Sequence, residues 1–162
     1  MSGLSWRQWR DPEVLVCCGF GSGFLPRAPG TWGSLAALGV WWWLLAPLPW
    51  WLQLISALMV FGSGVWLVNR VARRYAVGDE PAIVIDEFAG LWIALVGQGA
   101  DAVPVVIGFT AFRVFDILKP WPIGLADARV KGGFGVMLDD LLAGLLALFV
   151  LQISFRWIAG GI

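Results

Sequence analysis

Histidine is absent from all 162 residues. That absence removes every histidine nucleophile, general base and metal ligand. The Ser-His-Asp and Cys-His sites go with them. Cysteine is almost absent too: Cys17 and Cys18 stand side by side in an apolar stretch. Two neighbouring cysteines build no disulfide framework, so both read as small buried fillers. Cys18 is followed by "GFGSGF", without the nearby arginine that a thiol phosphatase needs. Charge is scarce at 14% of residues, and eleven Lys/Arg balance eleven Asp/Glu. A neutral chain offers no bulk attraction to nucleic acid.

In place of charge the chain has apolar surface. It is 59% hydrophobic with twelve tryptophans, and its mean hydropathy is +0.79. A soluble domain is about 45–50% apolar, so much of this surface is expected to face lipid. The tryptophans suit membrane interfaces.

A spanning helix needs about 20 mostly apolar residues, about 17 at the short end. Five stretches qualify: 32–48, 51–69, 83–98, 102–118 and 138–157. The expected fold is therefore all-α, a polytopic membrane bundle of about five transmembrane helices in one domain over 1–162. Residues 1–18 are expected to form a variable N-terminal segment of that domain. The run "VLVCCGFGSGF" is short and Gly-rich, and reads as re-entrant or interfacial rather than spanning. It does not read as a signal peptide either: the apolar run is brief and no small-residue cleavage site follows.

Cationic residues orient the bundle. Arg7 and Arg10 precede the first stretch; Arg70, Arg73 and Arg74 follow the second; Arg113, Lys119, Arg129 and Lys131 lie at or between the fourth and fifth. The turns "PLPW" (47–50) and "GQGAD" (97–101) hold no Lys or Arg. The positive-inside rule then sets the N-terminus in the cytoplasm. Arg156 is the one dissenting cation.

This orientation brings Asp86, Glu87, Asp116, Asp139 and Asp140 to one depth, at the cytoplasmic ends of apolar runs. Carboxylates beside hydrocarbon need compensation. A plainer reading pairs each with a nearby Arg or Lys, or lets it snorkel; nearby cations are too few for five. Hard oxygen ligands without His or Cys point to Mg²⁺ or a similar cation. "DEFAG" (86–90) and "DDLLAG" (139–144) each set a glycine one turn beyond an acid on the same face, where it allows close helix approach or ligand access. In "FRVFDILKPWPIG" (112–124), Arg113, Asp116 and Lys119 step by three, until Pro120 and Pro122 end the helix. An ordinary salt bridge explains them; so do Arg113 and Lys119 on phosphate with Asp116 on metal. "PGTWGS" opens a helix that Thr31 or Ser34 can cap, and a helix N-terminus attracts anions. Lys131, in the Gly-rich "VKGGFG", is a further phosphate candidate.

The segments "GFGSGFLPRAPGTWGS", "IDEFAGLWIAL", "FRVFDILKPWPIG" and "VKGGFGVMLDDLLAG" resemble, in order, the signature segments of the phosphatidylglycerophosphatase A family. The resemblance implies a Mg²⁺-dependent lipid phosphatase of the bacterial inner membrane, converting phosphatidylglycerophosphate to phosphatidylglycerol and phosphate on the cytoplasmic face. It implies Asp86, Glu87, Asp116, Asp139 and Asp140 as catalytic and metal residues. It implies Thr31, Arg113 and Lys119 as phosphate ligands, beside Ser34 and Lys131. Two other classes compete. A small transporter would carry its polar residues through to both sides, and here charge gathers at one. A CDP-alcohol-type phospholipid transferase would carry "DGxxAR…GxxxDxxxD", a run this chain lacks.

The charge asymmetry makes a direct prediction. A topology reporter fused after Gly97 should read periplasmic, and one after Gly133 cytoplasmic; the reverse pattern puts the acids on the wrong face.

Overall fold

The computed structural model describes residues 4–78 and 80–160, with side chains described through Ser154. Among these residues there is no strand. The order is α1 (Pro12–Cys17), a 3-10 segment (Gly19–Phe24), α2 (Pro29–Val40) running on through a π turn (Trp41–Leu45), α3 (Trp50–Tyr75), α4 (Ile85–Ala94), α5 (Ala102–Leu118), α6 (Ile123–Arg129) and α7 (Gly132–Gly160). The expected all-α architecture is what forms. The side chain of Arg156 lies outside the described residues.

Local chemistry sets the ends. Asp11 caps α1, its carboxylate accepting from the Glu13 amide at 3.0 Å, with Pro12 at the first helical position. The same aspartate accepts from the Tyr75 hydroxyl at 2.6 Å and pairs with Arg74 at 2.9 Å. The N-terminal segment is thereby pinned to the end of α3. The Val84 amide bonds to the Cys17 carbonyl at 2.9 Å, folding the segment back against the chain before α4. Cys17 and Cys18 are fully buried, and burial pushes both thiols up to about 12, which leaves them inert as expected of fillers.

At the other end of the bundle, buried Gln53 closes two turns at once. Its amide nitrogen donates to the carbonyls of Leu45, Leu48 and Gln98, and its oxygen accepts from the Gly97 amide at 2.8 Å. A polar side chain at this depth is tolerated because its bonds are made.

Two of the five expected spans appear as helices long and apolar enough to cross a membrane: α3, and α7 over Gly132–Ser154. Large apolar side chains stand outward along them, among them Ile55, Met59 and Trp66 on α3 and Phe149 on α7. The third stretch departs from its expected 83–98. Its helix, α4, has ten residues, about 15 Å at 1.5 Å per residue, and turns away at Gly97 in the left-handed region (φ 81°). Nearly all of α4 is buried, packed by α2, α3, α5 and α7. It is the axis of the bundle rather than a lipid-facing rod. α7 also starts earlier than its expected 138. Asp139 and Asp140 therefore sit two turns inside a helix, buried, and not at a solvated helix start.

The α4–α7 crossing is backbone on backbone. A Cβ on Gly144 would lie 2.2 Å from the Gly90 carbonyl oxygen, and one on Gly90 2.5 Å from that of Asp140. The glycines of the two acidic motifs thus face each other, as close helix approach requires.

Gly144→Ala should therefore destabilise, by about 1–3 kcal/mol from overpacking. Gly39→Ala, where a Cβ meets nothing within 4 Å, should be neutral or stabilising by up to about 1 kcal/mol. Thermal unfolding in detergent checks the contrast; equal melting of both variants would refute the crossing.

Candidate active site

The crossing brings the two acidic motifs together. Asp86 and Glu87 occupy the first turn of α4, and the Glu87 amide donates to Asp86 Oδ1 at 3.1 Å. Asp140 faces them from α7. One oxygen from each of Asp86, Glu87 and Asp140 lies within 4.8 Å of the others. Glu87 Oε2, Asp140 Oδ2 and Asp139 Oδ1 are buried with no hydrogen-bond partner. A buried carboxylate oxygen without a donor is costly. These three are directed by the fold and not satisfied by it.

Two cations partly compensate. Arg113, on α5, binds Asp116 at 2.6 Å, lies 3.9 Å from Glu87, and donates to Ser34 Oγ at 3.2 Å and Thr31 Oγ1 at 3.5 Å. One guanidinium fork thus ties α2, α4 and α5. Lys119 follows α5 in the left-handed region (φ 42°), which carries it off the helix line. Its ammonium donates to Asp139 Oδ2 on α7 and to Asp127 Oδ1 on α6, the latter at 2.9 Å. Burial by itself would lower the Lys119 pKa; the hydrogen bonds it donates to Asp139 and Asp127 outweigh it and hold the ammonium above the usual lysine value. Lys119 stays charged throughout the physiological range.

The carboxylates and Lys119 surround a cavity of about 420 Å³. Asp86, Glu87, Asp116, Asp139, Asp140, Lys119 and Lys131 all line it. Seven of the ten residues expected from sequence are therefore on one wall. The other three, Thr31, Ser34 and Arg113, are not on that wall; they form the layer behind Glu87. The expected capping of α2 by Thr31 or Ser34 does not occur. Ala28 occupies the cap position without a side-chain bond, and the Ser34 hydroxyl donates back to the Gly30 carbonyl at 2.8 Å. Their oxygens are turned to Arg113 instead. A Cβ at Gly30 would lie 2.3 Å from Glu87 Oε1, so a side chain there would displace that carboxylate.

Sequence reading passed over Asp127. It lies in "GLADARV", a segment that offers only one acid between cations. The sole signal was its position after the "KPWP" break, which returns the chain toward the Lys119 side.

The donor set suits a hard cation. Oxygens lie about 4.2 Å apart across an octahedral Mg²⁺ shell with bonds near 2.1 Å, and the Asp86, Glu87 and Asp140 oxygens are gathered on that scale. The orphaned Glu87 and Asp140 oxygens supply open coordination.

The fold defines a class: an apolar-surfaced helical bundle whose buried acids and two lysines share one cavity. The chain belongs to the phosphatidylglycerophosphatase A family, whose model matches residues 15–155, and is a phosphatase. A phosphatidylglycerophosphatase A of Escherichia coli K12 is 43% identical over 154 residues, covering 93% of this chain and 88% of the relative. One from Haemophilus influenzae is 40% identical, covering 91% of each. A Bacteroides thetaiotaomicron protein, provisionally assigned as a phosphatidylinositol-3-phosphatase, is 38% identical, covering 91% of this chain and 95% of its own. No solved structure matches the chain.

Breaking the Arg113 fork should be structurally expensive. Arg113→Leu strands Asp116 and Glu87 and should lower stability by about 3–5 kcal/mol. Arg113→Leu with Asp116→Leu should recover part of that loss, because no stranded partner remains at Asp116. Melting in detergent decides; a double variant no more stable than the single would deny the pair its charge-compensating role.

Proposed function

We propose that the chain hydrolyses the terminal phosphomonoester of phosphatidylglycerophosphate, giving phosphatidylglycerol and phosphate, with Mg²⁺ held in the carboxylate cavity. The observation that carries this is the convergence of Asp86, Glu87 and Asp140, with buried oxygens of Glu87 and Asp140 left unpartnered, in a chain whose family relatives bear that phosphatase name. Uncatalysed phosphomonoester hydrolysis is extremely slow, so electrostatic stabilisation must supply most of the acceleration. Bound Mg²⁺ would neutralise phosphate charge and acidify a coordinated water.

The residues divide the remaining work. Asp86, Glu87 and Asp140 would hold the cation. Lys119 and Lys131, on the cavity wall, meet the phosphate oxygens and stabilise them as the ester bond loosens. Asp139, whose other oxygen is tied to Lys119, keeps Oδ1 free to orient the attacking water. Arg113, with Thr31 and Ser34 behind it, holds Glu87 and Asp116 in place. Asp116 completes the acidic wall.

The same reading sets the chain in the bacterial inner membrane with the cavity open to the cytoplasm. The α2 helix with its π turn, α3, α4, α5 and α7 form about five passes. The short α4 is compatible with a pass because protein surrounds it, and irregular backbone at membrane depth is tolerated where protein shields it. The N-terminal segment rests at the cytoplasmic interface. The acyl chains stay in the bilayer while the headgroup enters the cavity.

Phosphate release from phosphatidylglycerophosphate by the purified protein tests the proposal. Chelation should abolish release and Mg²⁺ should restore it. Asp86→Asn and Asp140→Asn should each lower turnover at least about 100-fold, as loss of electrostatic stabilisation does, with melting retained. Asp101→Asn, at the exposed far end of α5, should leave turnover near normal. Full activity in excess chelator would end the role given to the acids.

A further inference from the structure

Lys119 is shared between two acids of unequal character. The Asp139 side chain is 10% exposed in the wall of the bundle, while that of Asp127 is 45% exposed at the rim. Lys131 reaches the same rim residue, its ammonium donating to the Asp127 backbone carbonyl at 3.3 Å. The two lysines of the cavity wall therefore converge on one residue, one at its carboxylate and one at its carbonyl. All three line the cavity.

We propose that Asp127 is a placeholder anion: its carboxylate holds, at Lys119, the position a phosphate oxygen takes on binding, and it competes with product phosphate for that ammonium. The inference rests on the reading of the cavity as a phosphate site. Three features support it. A half-exposed ion pair is weak and readily exchanged, whereas the buried Asp139 contact is costly to break. Asp127 rides on the seven-residue α6, the shortest helix on the cavity rim, so its side chain can yield without moving the bundle. An ammonium has three donors, and Lys119 can keep Asp139 while it exchanges Asp127 for phosphate. In the resting protein Asp127 keeps Lys119 aimed at the cavity mouth, so the ammonium is not wholly absorbed by Asp139. After hydrolysis the same carboxylate takes the ammonium back and favours departure of phosphate.

The test is product inhibition. The inhibition constant of inorganic phosphate is measured with Mg²⁺ on the full chain in detergent, for the parent, Asp127→Asn, Asp127→Ser, Asp127→Glu and Lys119→Gln. Both neutral Asp127 variants should bind phosphate more tightly, by up to about fivefold, the equivalent of about 1 kcal/mol for one half-exposed pair. Asp127→Glu should stay at the parent value, and Lys119→Gln should weaken phosphate. If the parent is inhibited but the neutral variants show an unchanged or larger constant, the placeholder role is wrong and Asp127 only anchors α6. If phosphate does not inhibit the parent, the phosphate-site reading falls and this inference with it. Failure of both neutral variants to fold also overturns it, because a displaceable contact cannot be what holds the bundle.

Discussion

The site depends on one contact, the crossing of α4 and α7 at Gly90 and Gly144. With a side chain at either glycine the two backbones could not touch. Without that approach Asp140 would stand away from Asp86 and Glu87, and no group of three carboxylates would form. Each glycine lies one turn beyond its acid, so the residue that permits contact and the residue that uses it share a helix face. Packing and chemistry are written into the same short motifs.

Close approach creates an electrostatic problem that the rest of the cavity answers. Carboxylates gathered out of water repel one another and lose hydration. Arg113 and Lys119 offset part of this, each by bridging separate elements: Arg113 joins α2, α4 and α5, and Lys119 joins the end of α5 to α6 and α7. The compensation stops short of completion. Oxygens of Glu87, Asp139 and Asp140 remain buried and unpaired, which a fold selected for stability alone would avoid. The unpaired acceptors are the feature a bound cation and its water would satisfy. They stand in one cavity with Lys119 and Lys131, so unpaired acceptors and cationic side chains share a single wall.

The opposite end of the bundle is held differently. There Gln53 satisfies three carbonyls and one amide with a single neutral side chain. Charge at one end and neutral hydrogen bonds at the other give the molecule a polarity that matches the Lys/Arg asymmetry of its loops.

The sequence by itself determined the helical class, the apolar exterior, the exclusion of histidine and thiol chemistry, and the identity of the acids. Those follow from composition and from motifs whose spacing is local, such as the i,i+3 of Glu87 and Gly90. Family resemblance carried by four ordered segments was equally legible, because each segment is contiguous. Only the tertiary structure decided that Asp139 and Asp140 lie inside a helix, that Thr31 and Ser34 serve Arg113 rather than cap α2, and that α4 is a buried ten-residue axis. Only it joined Lys119 to Asp127 across the "KPWP" break. The physical reason is common to all four. A cap, a pass or a ligand is defined by what approaches from elsewhere in the chain, and side-chain partners 79 or 82 residues apart, as with Arg113 to Ser34 and Thr31, leave no periodic trace for local pattern to read.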